Sequence, residues 1–424
     1  NTTGSGGTAV GKGALLSNTT GTDNTSVGSL SLDANTTGAN NAAFGHGALS
    51  ENTTASNNTG VGFYALLSNT TASNNTAVGA NALLVNTTGT RNTALGATAL
   101  DGNTTASDNT AIGYQALGAL STGAANTVLG SQALDASTTG TENVAIGYRA
   151  LSSDTKGQRN VAIGNETLFS QNITSATNTY NTAVGFHALY ANSTGAGNTS
   201  IGGLSLDANT TGVNNVAVGR TSLSANTTGG NNVALGYNSA VTLTTGSNNT
   251  TLGYDTRTSA DSSSGQIVIG SSVYGTANTR VHIGNSSSHI YNDYNSNATW
   301  THSSDERSKK DIESSTLGLS FIEELKPVTY KFKAPSEYPT EWQSYSADKT
   351  KPSNENTQHG MIAQDVKAAL DKFNVEDFKG WDVLPDGKQQ ISEAMFVFPL
   401  IKAVQELSTQ VDELKQELSA LKGE

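Results

Sequence analysis

The sequence lacks cysteine altogether and contains few aromatic residues, which make up 6% of its 424 residues. Without cysteine, disulfide bonds and thiolate metal sites are excluded. No apolar run approaches the length of about 18 residues that a membrane-spanning helix needs, so we expect no membrane insertion. A composition this poor in aromatics and dominated by Gly, Asn, Thr, Ser and Ala cannot fill a broad globular core, but it can fill the thin core of a repeat structure.

Charged residues are also scarce, at 14%, and they are unevenly placed. Residues 1–303 hold 8 Lys+Arg and 13 Asp+Glu, whereas residues 304–424 hold 15 and 22. This contrast predicts two parts with a boundary near residue 303. The formal net charge of −12 argues against nucleic acid and anionic membranes as partners, because both are bound through basic surfaces.

A 17-residue repeat fills the first part of the chain. Asn-Thr-Thr triplets begin at Asn1, Asn18, Asn35, Asn52, Asn69, Asn86 and Asn103. A second landmark is a glycine that ends a short apolar stretch, at Gly11, Gly28, Gly45, Gly62, Gly79, Gly96, Gly113, Gly130, Gly147, Gly164, Gly185, Gly202, Gly219, Gly236, Gly253, Gly270 and Gly284. Repeats of this length indicate a solenoid, and we predict a mainly β chain with a β-solenoid (β-roll) over residues 1–284.

Each repeat is interpreted as one coil, in which Thr110 and Ile112 share one face of a short strand and Leu117 returns to the inside after the corner at Gly113. The Asn-Thr-Thr-Gly stretch is expected to form a polar turn. Stacked about 4.8 Å apart, the coils would make a rod on the order of 80 Å long. The predicted interior pairs include Val27/Leu32, Val61/Leu66, Val78/Leu83 and Ile146/Leu151.

The repeat resembles the β-roll heads of trimeric autotransporter adhesins and repeats of phage tail fibres. The resemblance implies a trimer, and a small residue recurs after each corner where three rolls would pack around an axis. Alternatively, these alanines only fill a monomeric solenoid. They are Ala48, Ala65, Ala82, Ala99, Ala116, Ala133 and Ala150.

The repeat degrades between residues 254 and 303, and residues 285–303 are expected to form a connector or tip. Aromatic and histidine side chains gather here: Tyr274, Tyr291, Tyr294, Trp300, His282, His289 and His302. They would either stack on sugar rings or cap the open end of the solenoid. The histidines lack metal-ligand spacing and the calcium nonapeptide pattern is absent, so we expect no metal and no cofactor.

Four sequence blocks follow in order: Ser304-Asp305-x-Arg307-x-Lys309-x-Asp311-Ile312, Gly318-Leu319-x-Phe321-Ile322-x-x-Leu325-Lys326-Pro327-Val328-x-Tyr330-x-Phe332, His359-Gly360-Met361-Ile362-Ala363-Gln364-Asp365-Val366, and Pro399-Leu400-Ile401-Lys402-Ala403-Val404-Gln405-Glu406-Leu407. Together they resemble the endosialidase-type intramolecular chaperone, a self-cleaving family at the end of phage tail fibres and tailspikes. The resemblance predicts a small α+β auto-processing domain over residues 304–424.

The resemblance also implies a serine self-cleavage chemistry. Ser304 would attack the carbonyl before it, Lys309 would act as the base, and the chain would be cut between Ser303 and Ser304. Asp305 and Arg307 would hold the local turn, with Arg307 pairing a carboxylate. Ser303 is a rival nucleophile. Ser308 stands where an apolar residue is expected. Alternatively, the segment is a polar linker in which Ser304 or Asp305 caps a helix.

The chain ends in a heptad pattern that predicts a trimeric coiled coil over about residues 396–422. Its apolar positions alternate in steps of four and three: Leu400, Val404, Leu407, Val411, Leu414, Leu418 and Leu421. Such a coil would set the register of three chains whose similar repeats otherwise mis-register.

We therefore expect a homotrimeric fibre protein that attaches a phage or phage-like particle to a host cell-surface receptor, either a glycan or a surface protein. The chaperone would act in the cytoplasm of the producing cell and then be released, with no external substrate. The chain begins in phase with the repeat and without Met, so a particle-binding end, contacting a baseplate or upstream fibre segment, is expected before Asn1. The alternatives are a bacterial surface trimeric adhesin and an ice-binding β-solenoid; a glycan-cleaving tailspike is disfavoured because carboxylates are sparse in residues 1–303.

Overall fold

The computed structural model describes residues 3–293, 301–302, 304–352 and 355–423. The chain divides into two compact units, residues 1–304 and residues 305–424. The first unit is a β-solenoid of about sixteen turns, and the second is a small α/β body that ends in a long helix. The predicted mainly β class, with a β-solenoid followed by a small domain of helices and strands, is confirmed.

Each solenoid turn contributes one short strand, and successive strands pair in parallel with a register of 17 residues over most of the stack. The stacked strands are Thr8–Val10, Thr25–Val27, Ala42–Phe44, Thr59–Val61, Thr76–Val78, Thr93–Leu95, Thr110–Ile112, Thr127–Leu129, Val144–Ile146, Val161–Ile163, Thr182–Val184, Thr199–Ile201, Val216–Val218, Val233–Leu235, Thr250–Leu252, Ile267–Ser271 and Arg280–Asn285. The four-residue insertion after Gly164 lies in an extra coil segment, where Gly157–Gln158 pairs with Thr177–Asn178.

The prediction of which strand residues face inward was wrong. The central residue of each strand is the buried one, as Ala111 shows with 0% exposure, while Thr110 and Ile112 are only partly buried. The lumen is so narrow that it holds one small residue from the strand and one leucine from the corner, such as Leu117. Val27, Val61, Val78 and Ile146, which were expected inside, lie on the outer face of the sheet.

The corner geometry explains the fixed glycine and leucine. Gly113 has φ +136°, and a Cβ on it would come within 2.5 Å of the Gly130 carbonyl oxygen of the next coil. Leu117 itself adopts the left-handed conformation with φ +54°. That conformation costs roughly 1–2 kcal/mol for a residue with a Cβ, and complete burial of the side chain returns about 1.5–3 kcal/mol.

The turn asparagines are buried, which the sequence interpretation as a polar turn missed. In one ladder the Asn35 side-chain amide donates to Asn18 Oδ1 at 2.8 Å and to the Gly38 carbonyl at 3.0 Å. In a second ladder the Asn41 backbone N–H donates to Asn24 Oδ1 at 2.9 Å. Repeated coil after coil, these bonds satisfy polar groups that would otherwise be costly to bury.

An antiparallel hairpin covers the last coil. Strand Arg280–Asn285 pairs with His289–Asp293, which in turn pairs with Thr301–His302. His282 is fully buried and stacks on Tyr291 with ring centroids 5.5 Å apart. Burial, with smaller effects from His289 and Arg280, lowers the pKa of His282 to about 4. Tyr291 therefore packs within the cap, whereas Tyr274 is 49% exposed. Tyr294 and Trp300 lie outside the described residues.

The described residues of the second unit form three α-helices: α1 (Leu319–Glu324), α2 (Ala363–Lys372) and α3 (Val397–Lys422). Two antiparallel strand pairs accompany them, Val328–Tyr330 with Gln358–Gly360 and Trp381–Val383 with Gln389–Ile391. Short 3-10 helices span Glu306–Ser308, Pro335–Glu337 and Glu393–Phe396. The buried core consists of Leu317, Phe321, Val366, Ala369, Leu370 and Phe396.

Candidate self-cleavage site

A compact turn opens the candidate site. Asp305 caps the 3-10 helix Glu306–Ser308, because its Oδ1 accepts the backbone N–H of Arg307 at 2.9 Å. The turn is closed from the other side by the Ser308 hydroxyl, which donates to the Asp305 carbonyl at 2.7 Å, and by the Lys309 N–H, which donates to the Glu306 carbonyl at 2.9 Å. The segment is therefore folded locally, without burying a side chain.

Arg307 pairs with Asp305 through two side-chain contacts, Nε to Oδ1 at 3.0 Å and Nη2 to Oδ2 at 2.6 Å. These bonds, together with the bond from the Arg307 backbone N–H, lower the pKa of Asp305 and keep it ionised as a cap. Arg307 was expected to pair with a carboxylate, and the structure identifies that carboxylate as Asp305.

Ser308 has a structural role of its own. The resemblance leads one to expect an apolar residue at this position, but the Ser308 side chain is exposed and hydrogen-bonded to the turn. An apolar side chain would remove that bond and gain no burial within this chain. Serine at position 308, in place of the expected apolar residue, is therefore compatible with an exposed turn.

Ser304 and Lys309, the predicted nucleophile and base, flank this turn on its two sides and both are exposed in the single chain. Exposure continues through residues 304–316, and the chain first becomes buried at Leu317. Ser303, the residue on the other side of the predicted cut, lies outside the described residues. Ser304 thus precedes the turn in the chain and Lys309 follows it, and their catalytic roles stay predictions.

The sequence blocks meet in the second unit. Phe321 from the second block is fully buried against Val366 from the third. The fourth block reaches α1 through Glu406, whose Oε2 accepts the backbone N–H of Leu319 at 2.7 Å. A Cβ at Gly318 would come within 2.2 Å of that same oxygen, so glycine permits the close approach. Sequence reasoning missed this cap, although both residues were in the quoted blocks.

The apolar seam of α3 lies on the surface of the single chain. Its seven heptad positions are 41–85% exposed, while only Pro399 and Ala403 of the helix are buried. Beside its first turn, a pocket of about 300 Å³ is lined by Ile322, Leu325, Pro327, Met361, Glu393, Phe396, Val397 and Leu400. Leu400 belongs to both, so the pocket and the seam form one continuous apolar surface.

Comparison with protein families identifies part of this unit. Residues 304–374 match the family described as chaperone of endosialidase. The resemblance drawn from the sequence blocks is confirmed, and the match begins at Ser304 and contains the turn, α1 and α2. The fourth block, in α3, lies beyond the matched residues. No curated protein and no solved structure matches the chain. Among the described helices, none is long and apolar enough to cross a membrane.

Proposed function

We propose that this chain is a segment of a homotrimeric fibre that attaches a phage or phage-like particle to a host cell surface. Its C-terminal unit drives trimerisation and is released by cleavage between Ser303 and Ser304. One observation carries the proposal: a chaperone-of-endosialidase match starts at Ser304, and a solenoid of about sixteen turns with its capping hairpin precedes it. A chaperone domain fused to a long repeat fits a rod whose chains must be aligned before they fold.

The exposed α3 seam supports the trimerisation step. Burying a leucine or valine side chain contributes about 1.5–3 kcal/mol, so a seam of seven such residues in each chain favours association strongly. The seam steps by four and three residues, as in a coiled coil, and charged residues flank it. Three parallel copies of α3 would align three solenoids in one register.

The solenoid offers a matching surface along the outer face of its sheet. The third residue of nearly every stacked strand is aliphatic or aromatic, and several are more than 40% exposed, including Phe44, Leu95, Leu129, Ile201 and Leu252. We propose that three solenoids pack through this row. The alanines after the corners, such as Ala116, do not serve this purpose, because they are buried within the single chain.

The proposed cleavage is an intramolecular, single-turnover reaction. The Ser304 hydroxyl oxygen attacks the Ser303 carbonyl carbon while its proton passes to the Lys309 amine. The amide nitrogen then takes a proton and leaves, and water hydrolyses the resulting ester. Lysine acts as a base only where its surroundings favour the neutral amine, and burial does so. Because Lys309 is exposed in one chain, we propose that neighbouring chains of the trimer cover it.

Intact-mass measurement of the purified chain tests this function. We expect two fragments that join between Ser303 and Ser304 in the wild type, and one full-length chain in Ser304→Ala and in Lys309→Ala. Lys310→Ala is the matched control, since it removes an adjacent exposed lysine and should still cleave. A wild-type chain that stays intact after long incubation as a trimer would show that the domain is a retained cap.

A second comparison separates assembly from chemistry. Leu407→Lys places a charge in the α3 seam and leaves the turn at residues 305–309 untouched, so we expect a monomer that does not cleave. Cleavage in a monomeric Leu407→Lys chain would contradict the proposal that the trimer completes the site. Size-exclusion chromatography with light scattering and intact mass, run on the same sample, measure both properties.

A further inference from the structure

A row of side chains runs along one flank of the solenoid, formed by the residue after each corner glycine. Backbone bonds fix its order: the Leu204 N–H donates to the Phe186 carbonyl at 2.9 Å, and the Thr221 N–H donates to the Gly203 carbonyl at 3.0 Å. Phe186, Gly203 and Arg220 therefore stand on three consecutive coils. With coils about 4.8 Å apart, Phe186 and Arg220 are separated by roughly 10 Å along the rod.

Gly203 leaves an opening between these two side chains. A Cβ at Gly203 would meet only the Phe186 carbonyl oxygen, at 3.9 Å, and its φ lies outside the left-handed region. Unlike the corner glycines, Gly203 is required neither by its backbone conformation nor by a close contact. Its effect is to leave a gap one coil wide, which we call the flank notch and define by Phe186, Gly203 and Arg220.

The first wall of the flank notch is an exposed aromatic ring that is held from behind. Phe186 is 52% exposed, and its ring stacks on His187 with centroids 3.8 Å apart and an interplanar angle of 14°. His187 Nε2 in turn contacts Glu166 Oε2 at 2.9 Å. Because the Phe186 ring is already ordered, a ligand that binds to its apolar surface would lose little free energy to ordering that side chain.

The opposite wall is a cation supported by rings. The Arg220 guanidinium lies 5.7 Å from the centroid of the Tyr237 ring, and Tyr237 stacks against Tyr254 with centroids 5.6 Å apart. The Arg220 guanidinium thus packs against the Tyr237 ring. This contact positions the guanidinium and leaves its charge unneutralised.

Arg220 also differs from the other arginines of the solenoid. Within residues 3–293, each of the others pairs with a carboxylate: Arg91, Arg149, Arg159, Arg257 and Arg280. Arg220 forms no ion pair with any residue in the described part of the chain. Asp207, on the coil between, has one carboxylate oxygen buried in its own corner and does not pair with it. A guanidinium placed this way suits an anionic group from outside the chain.

We propose that the flank notch binds a sugar ring that carries a carboxylate, a uronic-acid type of residue within a surface glycan. The apolar face of the pyranose would lie on Phe186, and its carboxylate would accept hydrogen bonds from Arg220. The coils that carry Phe186 and Arg220 are roughly 10 Å apart along the rod, which leaves room for one sugar ring between the two side chains. The proposal rests on the attachment function and gives it a ligand class.

Titration calorimetry on the purified full-length chain tests the notch. The probes are tetrasaccharides containing glucuronate or galacturonate, with a neutral N-acetylglucosamine tetrasaccharide as reference. We expect saturable binding of an acidic probe and weaker binding of the neutral one. Arg220→Gln removes the charged partner, and Gly203→Tyr fills the gap with a ring, so each should weaken acidic binding about tenfold or more.

Two matched variants control for general effects. Arg91→Gln removes an arginine elsewhere on the rod, and Ala97→Tyr adds a ring at the equivalent exposed position of a coil outside the notch. Both should bind the acidic probe like the wild type. Circular dichroism of Gly203→Tyr should match the wild type, because its Cβ enters open space.

The outcomes separate this proposal from the attachment function. Absence of saturable binding to both acidic probes, or binding that survives both notch variants, would overturn the flank notch as a sugar site. If the labelled wild type and both notch variants coat bacterial cells equally, attachment stands and the notch is not its site. If the wild type coats no cells, attachment fails, while calorimetry still decides whether the notch binds acidic sugar.

Discussion

The two units of this chain bury their apolar side chains in opposite ways. In the solenoid, leucines such as Leu49, Leu117 and Leu189 are fully buried by the coils next to them. In α3 the leucines of the seam, such as Leu414 and Leu421, are 64% and 85% exposed. The core of the solenoid is thus complete within its own stack of coils, whereas the seam of α3 is exposed on the described part of the second unit. Under the proposed function, this difference predicts that association begins at the C-terminal unit.

The two units also differ in how their polar groups are hydrogen-bonded. Buried asparagines of the solenoid bond to the coil above or below, as Asn52 does to Asn35 at 2.9 Å. The turn at residues 305–309 is held by bonds among its own residues, and all its side chains are exposed. A solenoid corner is therefore fixed by its neighbours, while the candidate cleavage site is left accessible to a change of surroundings.

The strongest test of this contrast compares two glycines of the solenoid. Gly113→Ala places a Cβ within 2.5 Å of the Gly130 carbonyl oxygen, at a φ in the left-handed region. Neither the clash nor the strained φ can relax easily, because neighbouring coils hold this backbone in place. We expect the free energy of unfolding to fall by more than about 4 kcal/mol, because losses this large come from strained or overpacked sites of this kind. Gly203→Ala is the control and should change it by less than about 0.5 kcal/mol. Urea denaturation measures both, and equal effects would contradict the coil-stacking argument.

A smaller effect is expected from matched leucine truncations in the two units. Leu117→Ala leaves a cavity in a closed core. The free energy of unfolding of the solenoid should therefore fall by about 2–5 kcal/mol at every protein concentration. Leu414→Ala removes an exposed side chain, so it should matter only when chains associate. Denaturation at two protein concentrations distinguishes these cases: the Leu414→Ala defect should grow on dilution. A concentration-independent loss there would mean that the seam packs within one chain.

The repeat itself was predictable because its period is visible in the glycines and asparagines. The inward and outward faces were not, because a three-residue strand such as Thr110–Ile112 offers two residues to one side and one to the other. Volume decides: the lumen already holds Leu117, so only Ala111 fits from the strand. Sequence hydrophobicity alone favours Ile112, and the narrow cross-section that overrides it is a property of the stack.

The candidate site was predictable in its position and partly in its contacts. The family resemblance implied that Asp305 and Arg307 hold a local turn, and the structure supplies the pair and the Ser308 bond that closes it. The cap from Glu406 to Leu319 could not be predicted, since it joins residues 87 positions apart. Nor could Arg220 be singled out, because its lack of an ion pair depends on which carboxylates neighbouring coils bring close.

The smallest expected effect concerns the pH dependence of the two kinds of solenoid carboxylate. Burial raises the pKa of Asp135, and its Oδ1 has no hydrogen-bond partner among the described residues. The folded state therefore binds the proton more tightly than the unfolded state, so stability falls as pH rises from the ordinary aspartate pKa of about 3.9 through the raised folded value. Asp135→Asn should remove this loss and raise the melting temperature slightly at neutral pH.

Asp108 provides the opposite sign. Its hydrogen bonds to Arg91 lower its pKa, so its contribution is present above the ordinary aspartate pKa and is lost as pH falls through the lowered folded value. Asp108→Asn should therefore slightly lower the melting temperature at neutral pH and leave it unchanged in strong acid. Melting curves of both variants between about pH 3 and 7 should diverge from the wild type in opposite directions as pH rises. Shifts of the same sign would contradict the opposite pKa directions of Asp135 and Asp108.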